Sequence, residues 1–189
     1  LARNLWQDEH LEPRLLAAAL IGVAAGQMPE QSAELLVEYC IPEESPLVQQ
    51  ALLQHSGNQL RAANVRVWFD LVERWINASI AAQQLIGFKA VLGVVNDREF
   101  ENLPLVYRIL TYPVENTNRV TSHDIESLIR ALAKRSPVET AFFLRQCYSR
   151  SINPLLGRLI RKCLPIFAPE GQASLRKTLQ DQNVSTADT

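Results

Sequence analysis

Short segments that open on a capping residue and a proline recur along this chain, and no stretch alternates apolar and polar residues as a strand would. The clearest opening is Ser136-Pro137-Val138-Glu139. An N-cap hydroxyl, a proline at the first helical position and a carboxylate at the third are the groups that satisfy the orphan amides of a helix start. Ser45-Pro46 and Asn153-Pro154 repeat the pattern, each ahead of about three turns of periodic apolar residues. A chain of short amphipathic helices can bury its apolar stripes only by laying one helix against the next. The expected class is therefore all-α, with helices in loose pairs stacked as an α-solenoid.

Apolar periodicity predicts helices near 1–8, 12–27, 30–40, 46–56, 58–77, 79–95, 101–111, 122–135, 137–150, 154–164 and 170–181. Pro29, Pro42, Pro104, Pro113, Pro165 and Pro169 sit near edges or in links. The 58–77 helix carries a stripe of Leu60, Ala63, Val67, Trp68, Leu71, Val72, Trp75 and Ile76. Ile125, Leu128, Ile129, Leu132 and Ala133 repeat it over 122–135, and Leu155, Leu156, Leu159, Ile160 and Cys163 over 154–164. No strict repeat length emerges, so the units read as irregular, in the manner of degenerate HEAT arrays. Residues 1–180 are expected to form a single HEAT-like α-solenoid domain, wound as a right-handed superhelix of helix pairs. The polar link 111–121 is the expected hinge between halves. Residues 181–189 offer little apolar surface and read as a disordered tail.

With 47% hydrophobic residues and a mean hydropathy of −0.06, the composition is that of a soluble globular protein. The longest apolar run, residues 15–25, falls short of the roughly 20 residues a bilayer span needs. It reads as a helix buried on all sides, so no membrane is expected as a partner. No charged leader with an apolar core and cleavage site is visible, which argues against secretion. The chain opens on Leu1 inside an apparent helix, as expected of a piece of a longer protein or a chain whose start is missing. Cys40, Cys147 and Cys163 form no CxxC pair and read as free, partly buried thiols in a reducing, cytoplasmic setting. His10, His55 and His123 are far apart without ligand spacing, so neither a metal nor another cofactor is expected.

The net charge of −1 hides an asymmetry. Residues 1–104 carry 7 Lys/Arg against 13 Asp/Glu, and residues 105–189 carry 12 against 7. Between residues 119 and 162 there are nine basic and three acidic side chains. Arg130 and Lys134 lie one turn apart, opposite the apolar stripe of their helix, and Arg158, Arg161 and Lys162 do the same two helices later. Alternate helices of a solenoid line one surface, so these five residues are the candidate nucleic-acid-binding set, forming a basic concave wall. Such a wall would grip the phosphates of duplex DNA without reading sequence. No aromatic residue is interleaved, so base stacking is not expected. The bland alternative is a solvated basic face, and the acidic N-terminal half favours a different use, as a scaffold for a protein partner.

Two stretches resemble the AlkD-like family of HEAT-fold alkylpurine DNA glycosylases. One is Leu5-Trp6 followed by Glu12-Pro13-Arg14-Leu15-Leu16-Ala17-Ala18, similar to the family's Leu-Trp helix and the Ala-rich helix after it. The other runs from Ser127 through Leu128-Ile129-Arg130-Ala131-Leu132-Ala133-Lys134-Arg135 to Ser136-Pro137, similar to a late family helix. Arg74-Trp75-Ile76 and Phe88-Lys89-Ala90-Val91-Leu92 can be laid on helices between them. The resemblance covers about residues 2–165 and implies the solenoid fold. It also implies a cleft in which a carboxylate, an Arg and tryptophans cleave the N-glycosidic bond of an alkylated purine. In the register of the matches, the carboxylate-bearing run falls on residues 45–50, with Gln49 and Gln50. The Arg falls on Phe88, and the later Trp on Ser127. No catalytic residue is therefore expected. A competing placement on Trp68-Phe69-Asp70-Leu71-Val72-Glu73 would make Asp70 or Glu73 the carboxylate of an active glycosylase. Trp68, Leu71, Val72 and Trp75 share the buried stripe, and Arg66, Asp70 and Arg74 have the spacing of ordinary surface pairs.

Overall fold

A computed structural model describes residues 1–151 and 153–185, and every regular element among them is helical. The chain divides into two compact units, Leu1–Gly93 and Val94–Thr189.

The first unit holds α1 (Ala2–Trp6), α2 (Leu11–Ala25), α3 (Pro29–Tyr39), α4 (Pro46–Ala51), α5 (Asn58–Ala63), α6 (Val65–Ile76) and most of α7 (Ala81–Asn96). Between α4 and α5, Leu52–Gly57 winds as wider π turns, so the helical path is unbroken from residue 46 to 63. The sequence had placed the boundary at Gly57 and run one helix over 58–77. The break lies at Asn64 instead, which is extended (φ −151°, ψ 93°) while its side-chain oxygen accepts from the Val67 amide at 3.2 Å. An asparagine offers the backbone an alternative partner and stops a helix more firmly than a glycine packed from outside. Gly57 is packed in that way, since a Cβ there would lie 2.6 Å from the Trp68 ring. Ala63 consequently leaves the stripe and is exposed, while Phe69 joins Trp68, Leu71, Val72, Trp75 and Ile76 in the core.

α2 packs against α1, α3 and the π turns but keeps one face open. Leu16 and Val23 are 52% and 80% exposed, so the helix expected to be buried on all sides is not. An apolar composition all round tells how a helix can pack, and the number of neighbours decides how much of it is covered. α1 is held down by Trp6, which stacks on Tyr39 at 4.0 Å and has the Arg14 guanidinium 5.5 Å from its ring centroid. Arg14 in turn pairs with Glu44 at 2.7 Å.

α7 approaches α6 closely through Gly87. A Cβ on that residue would fall 2.7 Å from Ile76 Cγ1 and 2.8 Å from the Ile76 backbone nitrogen. The backbone cannot yield as a side-chain tip does, so Gly87→Ala is expected to destabilise the protein by about 1–3 kcal/mol. Alanine's better helix propensity, about 1 kcal/mol, acts in the opposite direction. Urea denaturation followed by circular dichroism checks this, and a variant as stable as the parent would mean that the two helices pack less tightly than described.

The second unit comprises α8 (Leu103–Glu115), α9 (Ser122–Arg135), α10 (Pro137–Arg150), α11 (Pro154–Cys163), a 3₁₀ turn (Leu164–Ile166) and α12 (Pro169–Ser185). α10 contacts α8, α9, α11 and α12, and Ile125, Leu128, Leu132, Leu144, Leu156 and Ile160 are buried in this core. The expected hinge at 111–121 is not where the units divide. Residues 111–115 finish α8, with Pro113 in its last turn, and the division falls after Gly93, inside α7. The polar residues of the link act as local partners. Asn118 accepts from the Val120 and Thr121 amides, and Asn153 donates to the carbonyls of Glu115 and Thr117. α12 runs four residues beyond Asp181, where the tail was expected to begin, and residues 186–189 of that tail lie outside the described residues.

The helix starts vary in chemistry. Ser45 and Asn153 cap as expected, accepting from the Val48 amide at 3.4 Å and the Leu155 amide at 3.0 Å. Ser136 does not cap an amide, and its hydroxyl donates to the Glu139 carboxylate. That bond, with help from the Glu139 backbone, holds the carboxyl below its usual range, which suits an anion in the first turn of α10.

Candidate nucleic-acid interface

α9 and α11 pack side by side in the second unit, burying their apolar stripes and leaving Lys134, Arg158, Arg161 and Lys162 exposed. Lys134 belongs to the last turn of α9, and Arg161 and Lys162 to that of α11, where cations complement the carboxyl end of the helix dipole. The two helices meet at Arg130, whose Nη2 donates to the Lys162 carbonyl at 3.1 Å. Two of the five candidate residues are thus brought into contact. Lys134, Arg158 and Arg161 have no ion-pair partner among the described residues.

The sequence reading passed over one member of this group, Glu126. Its Oε1 accepts from Arg130 Nε at 3.0 Å and Nη2 at 2.8 Å, and its Oε2 lies 3.5 Å from Lys162 Nζ. The Arg130 hydrogen bonds chiefly, and the Lys162 charge secondarily, hold the Glu126 carboxyl below its usual range. Arg130 is raised in turn, mainly by the Glu126 hydrogen bond. The (i, i+4) spacing of Glu126 and Arg130 was the available signal. The participation of Lys162 had none, because it comes from another helix.

Other basic residues of the 119–162 region have structural work. Arg135 donates to backbone carbonyls at the end of α7 and in the loop after it. Arg145 donates to the Ser174 hydroxyl at 3.0 Å. The basic excess counted along the sequence is therefore larger than the set of cations left facing solvent.

The positions that the family resemblance assigns to chemistry are occupied by packing groups. Gln49 is buried, and its amide nitrogen donates to the carbonyls of Ile41 at 2.9 Å and Glu44 at 3.1 Å. Its oxygen accepts from Lys89 Nζ at 3.3 Å. Phe88 is in the core, and Ser127 turns its hydroxyl back onto the His123 carbonyl at 3.0 Å. In the competing placement, Trp68 and Phe69 are both buried, and Asp70 is an exposed carboxylate 3.9 Å from Arg66.

A cleft of about 540 Å³ in the first unit is lined by Ala19, Val23, Gln54, His55, Gln59 and Ala62 among others. Its lining includes no Lys, Arg, Asp or Glu. Cys40 and Cys147 are pushed up to about 12 and Cys163 to about 11 by burial, so all three are inert thiols near neutral pH. Among the described residues, no His/Cys/Asp/Glu group could hold a metal ion, and no helix is long and apolar enough to cross a membrane. No protein-family model, curated protein or solved structure matches the chain.

Proposed function

We propose that this chain is a HEAT-like α-solenoid, a right-handed superhelix of helix pairs that acts in the cytoplasm. It binds the backbone of duplex DNA without sequence preference and without glycosylase activity. Arg130, Lys134, Arg158, Arg161 and Lys162 form the binding face. The observation that supports this reading is the packing of α9 on α11, which brings Arg130 against Lys162 and leaves Lys134, Arg158 and Arg161 exposed on the same two helices. The absence of glycosylase chemistry is supported by Gln49, Phe88 and Ser127. A transition state with oxocarbenium character would find no carboxylate facing it there, and that electrostatic contribution is usually large.

Titration of labelled duplexes of differing sequence tests the proposal. Binding is expected to be weak and alike for all sequences, and to fall steeply with salt, because each neutralised phosphate releases counterions. Lys134→Glu combined with Arg161→Glu is expected to weaken binding uniformly and leave the circular dichroism spectrum unchanged, since both side chains are exposed. No binding at low ionic strength would overturn the reading. Release of 3- or 7-methylated purine, abolished by Asp70→Asn or Glu73→Gln, would restore the enzyme.

The second reading is a protein-interaction scaffold. It is favoured by Val138 and Phe142, one turn apart on α10 and 75% and 54% exposed in the same unit. Uncovered apolar side chains of that size at helical spacing suit a partner's apolar surface better than a phosphate backbone.

A further inference from the structure

Glu126 places a carboxylate between two of the cations assigned to the binding face. We infer that it is a built-in competitor for the anion, holding Arg130 and Lys162 in an internal clamp that an incoming phosphate has to open. The inference rests on the polyanion-binding reading and assigns a residue that tunes it. The geometry is that of a guest anion, with two guanidinium hydrogen bonds to one oxygen at 2.8 and 3.0 Å and an ammonium 3.5 Å from the other. Guanidinium N–H groups donate to carboxylate and phosphate oxygens in the same manner. The side chains are layered as a clamp requires, with Glu126 18% exposed, Arg130 43% and Lys162 69%. Of the three, Lys162 is the most open to an incoming phosphate. That ion pair is long and exposed and contributes little, so Lys162 exchanges its partner readily. Arg130 keeps its bond to the Lys162 carbonyl and remains aimed at the junction of the helices when Glu126 lets go. Lys134, Arg158 and Arg161 engage DNA at once, and Arg130 and Lys162 are held in reserve.

A staple joining α9 to α11 would show the same contacts, and the two roles separate on substitution. Glu126→Gln keeps the shape and the hydrogen-bonding oxygen and removes the charge. It is expected to bind a short random-sequence duplex about tenfold tighter at low salt, with a log–log salt slope steeper by about 1–2, as one or two further phosphate contacts require. Adding Arg130→Ala to it should abolish most of the gain. Glu170→Gln, an exposed carboxylate in the first turn of α12, makes the same change in net charge and should alter affinity less than about twofold. An equal gain in Glu170→Gln would overturn the clamp in favour of net charge. A parent protein that binds DNA while Glu126→Gln binds equally or more weakly would overturn the clamp and leave the DNA reading standing. Binding by neither would overturn the DNA reading, and the clamp with it. Should Glu126→Gln fail to fold, Glu126→Asp keeps the charge but cannot span both cations. It is expected to gain a few-fold in affinity, and the absence of any gain would overturn the inference.

Discussion

Replacing Trp75 with Ala is expected to destabilise the protein by about 3–5 kcal/mol. The indole is 2% exposed and meets Trp68 edge-on, with ring centroids 6.2 Å apart at 86°. Burying a ring of about 200 Å² contributes on the order of 5 kcal/mol, and an edge-to-face partner about 1 more. Against this stands the indole N–H. Among the described residues, neither Trp68 Nε1 nor Trp75 Nε1 reaches an acceptor, and a buried orphan donor costs about 1–3 kcal/mol. Trp75→Phe keeps most of the ring and removes the orphan, so it is expected to cost less than about 1.5 kcal/mol. Urea denaturation followed by far-ultraviolet circular dichroism measures both without depending on the fluorophore removed. A cost below about 1 kcal/mol for Trp75→Ala would mean that the α6 stripe contributes little to the core.

An effect of similar size is expected at Arg135. Its guanidinium donates to the carbonyls of Val95 at 3.0 Å, Asp97 at 2.6 Å and Phe100, with longer bonds to Val94 and Arg98 at 3.4 Å. Several of these carbonyls lie in the last turn of α7 or just after it, where helical partners run out, and those of Val94 and Asp97 also accept from the Asp97 and Phe100 amides. Hydrogen bonds from a charged donor contribute about 1.5–3 kcal/mol each. Water recovers part of the loss at half-exposed sites, so Arg135→Ala is expected to cost about 3–5 kcal/mol. Arg135→Lys should recover less than half, since a single ammonium cannot span carbonyls that a planar fork reaches together. The same variants are expected to leave the DNA affinity of the folded protein within about twofold, because a guanidinium committed to the backbone is not one that grips phosphate. A large loss of affinity without loss of stability would add Arg135 to the proposed binding face.

Local chemistry was legible along the chain wherever a residue's partner lies within one turn. Ser45-Pro46 and Asn153-Pro154 announced their helices because the side-chain oxygen bonds an amide two or three residues on. Over 122–135 and 154–164, the 3.6-residue period marked the buried faces correctly for Ile125, Leu128, Ile129, Leu132, Leu159, Ile160 and Cys163. The same reading failed at Gly57 and Asn64. The permissive residue there was held in a helix by the Trp68 ring from another element, and the capping residue was concealed in a periodic run. Ser136 shows a subtler limit. All the parts of an N-cap are present, and the nearby Glu139 carboxylate took the hydroxyl that the amide was expected to use.

What the sequence determined by itself is the helical class, most helix starts and the apolar stripes, because hydrogen bonding and burial along a helix act over three or four residues. Which cations are left facing solvent was decided by tertiary structure. Arg130 meets Lys162 from 32 residues away, and Arg135 reaches Phe100 across 35, so neither the junction of α9 with α11 nor the capping by Arg135 leaves a local pattern. Charge counted along a chain is a property of composition. The field at a surface depends on which of those charges packing has already paired, as Glu126 pairs Arg130 and Lys162.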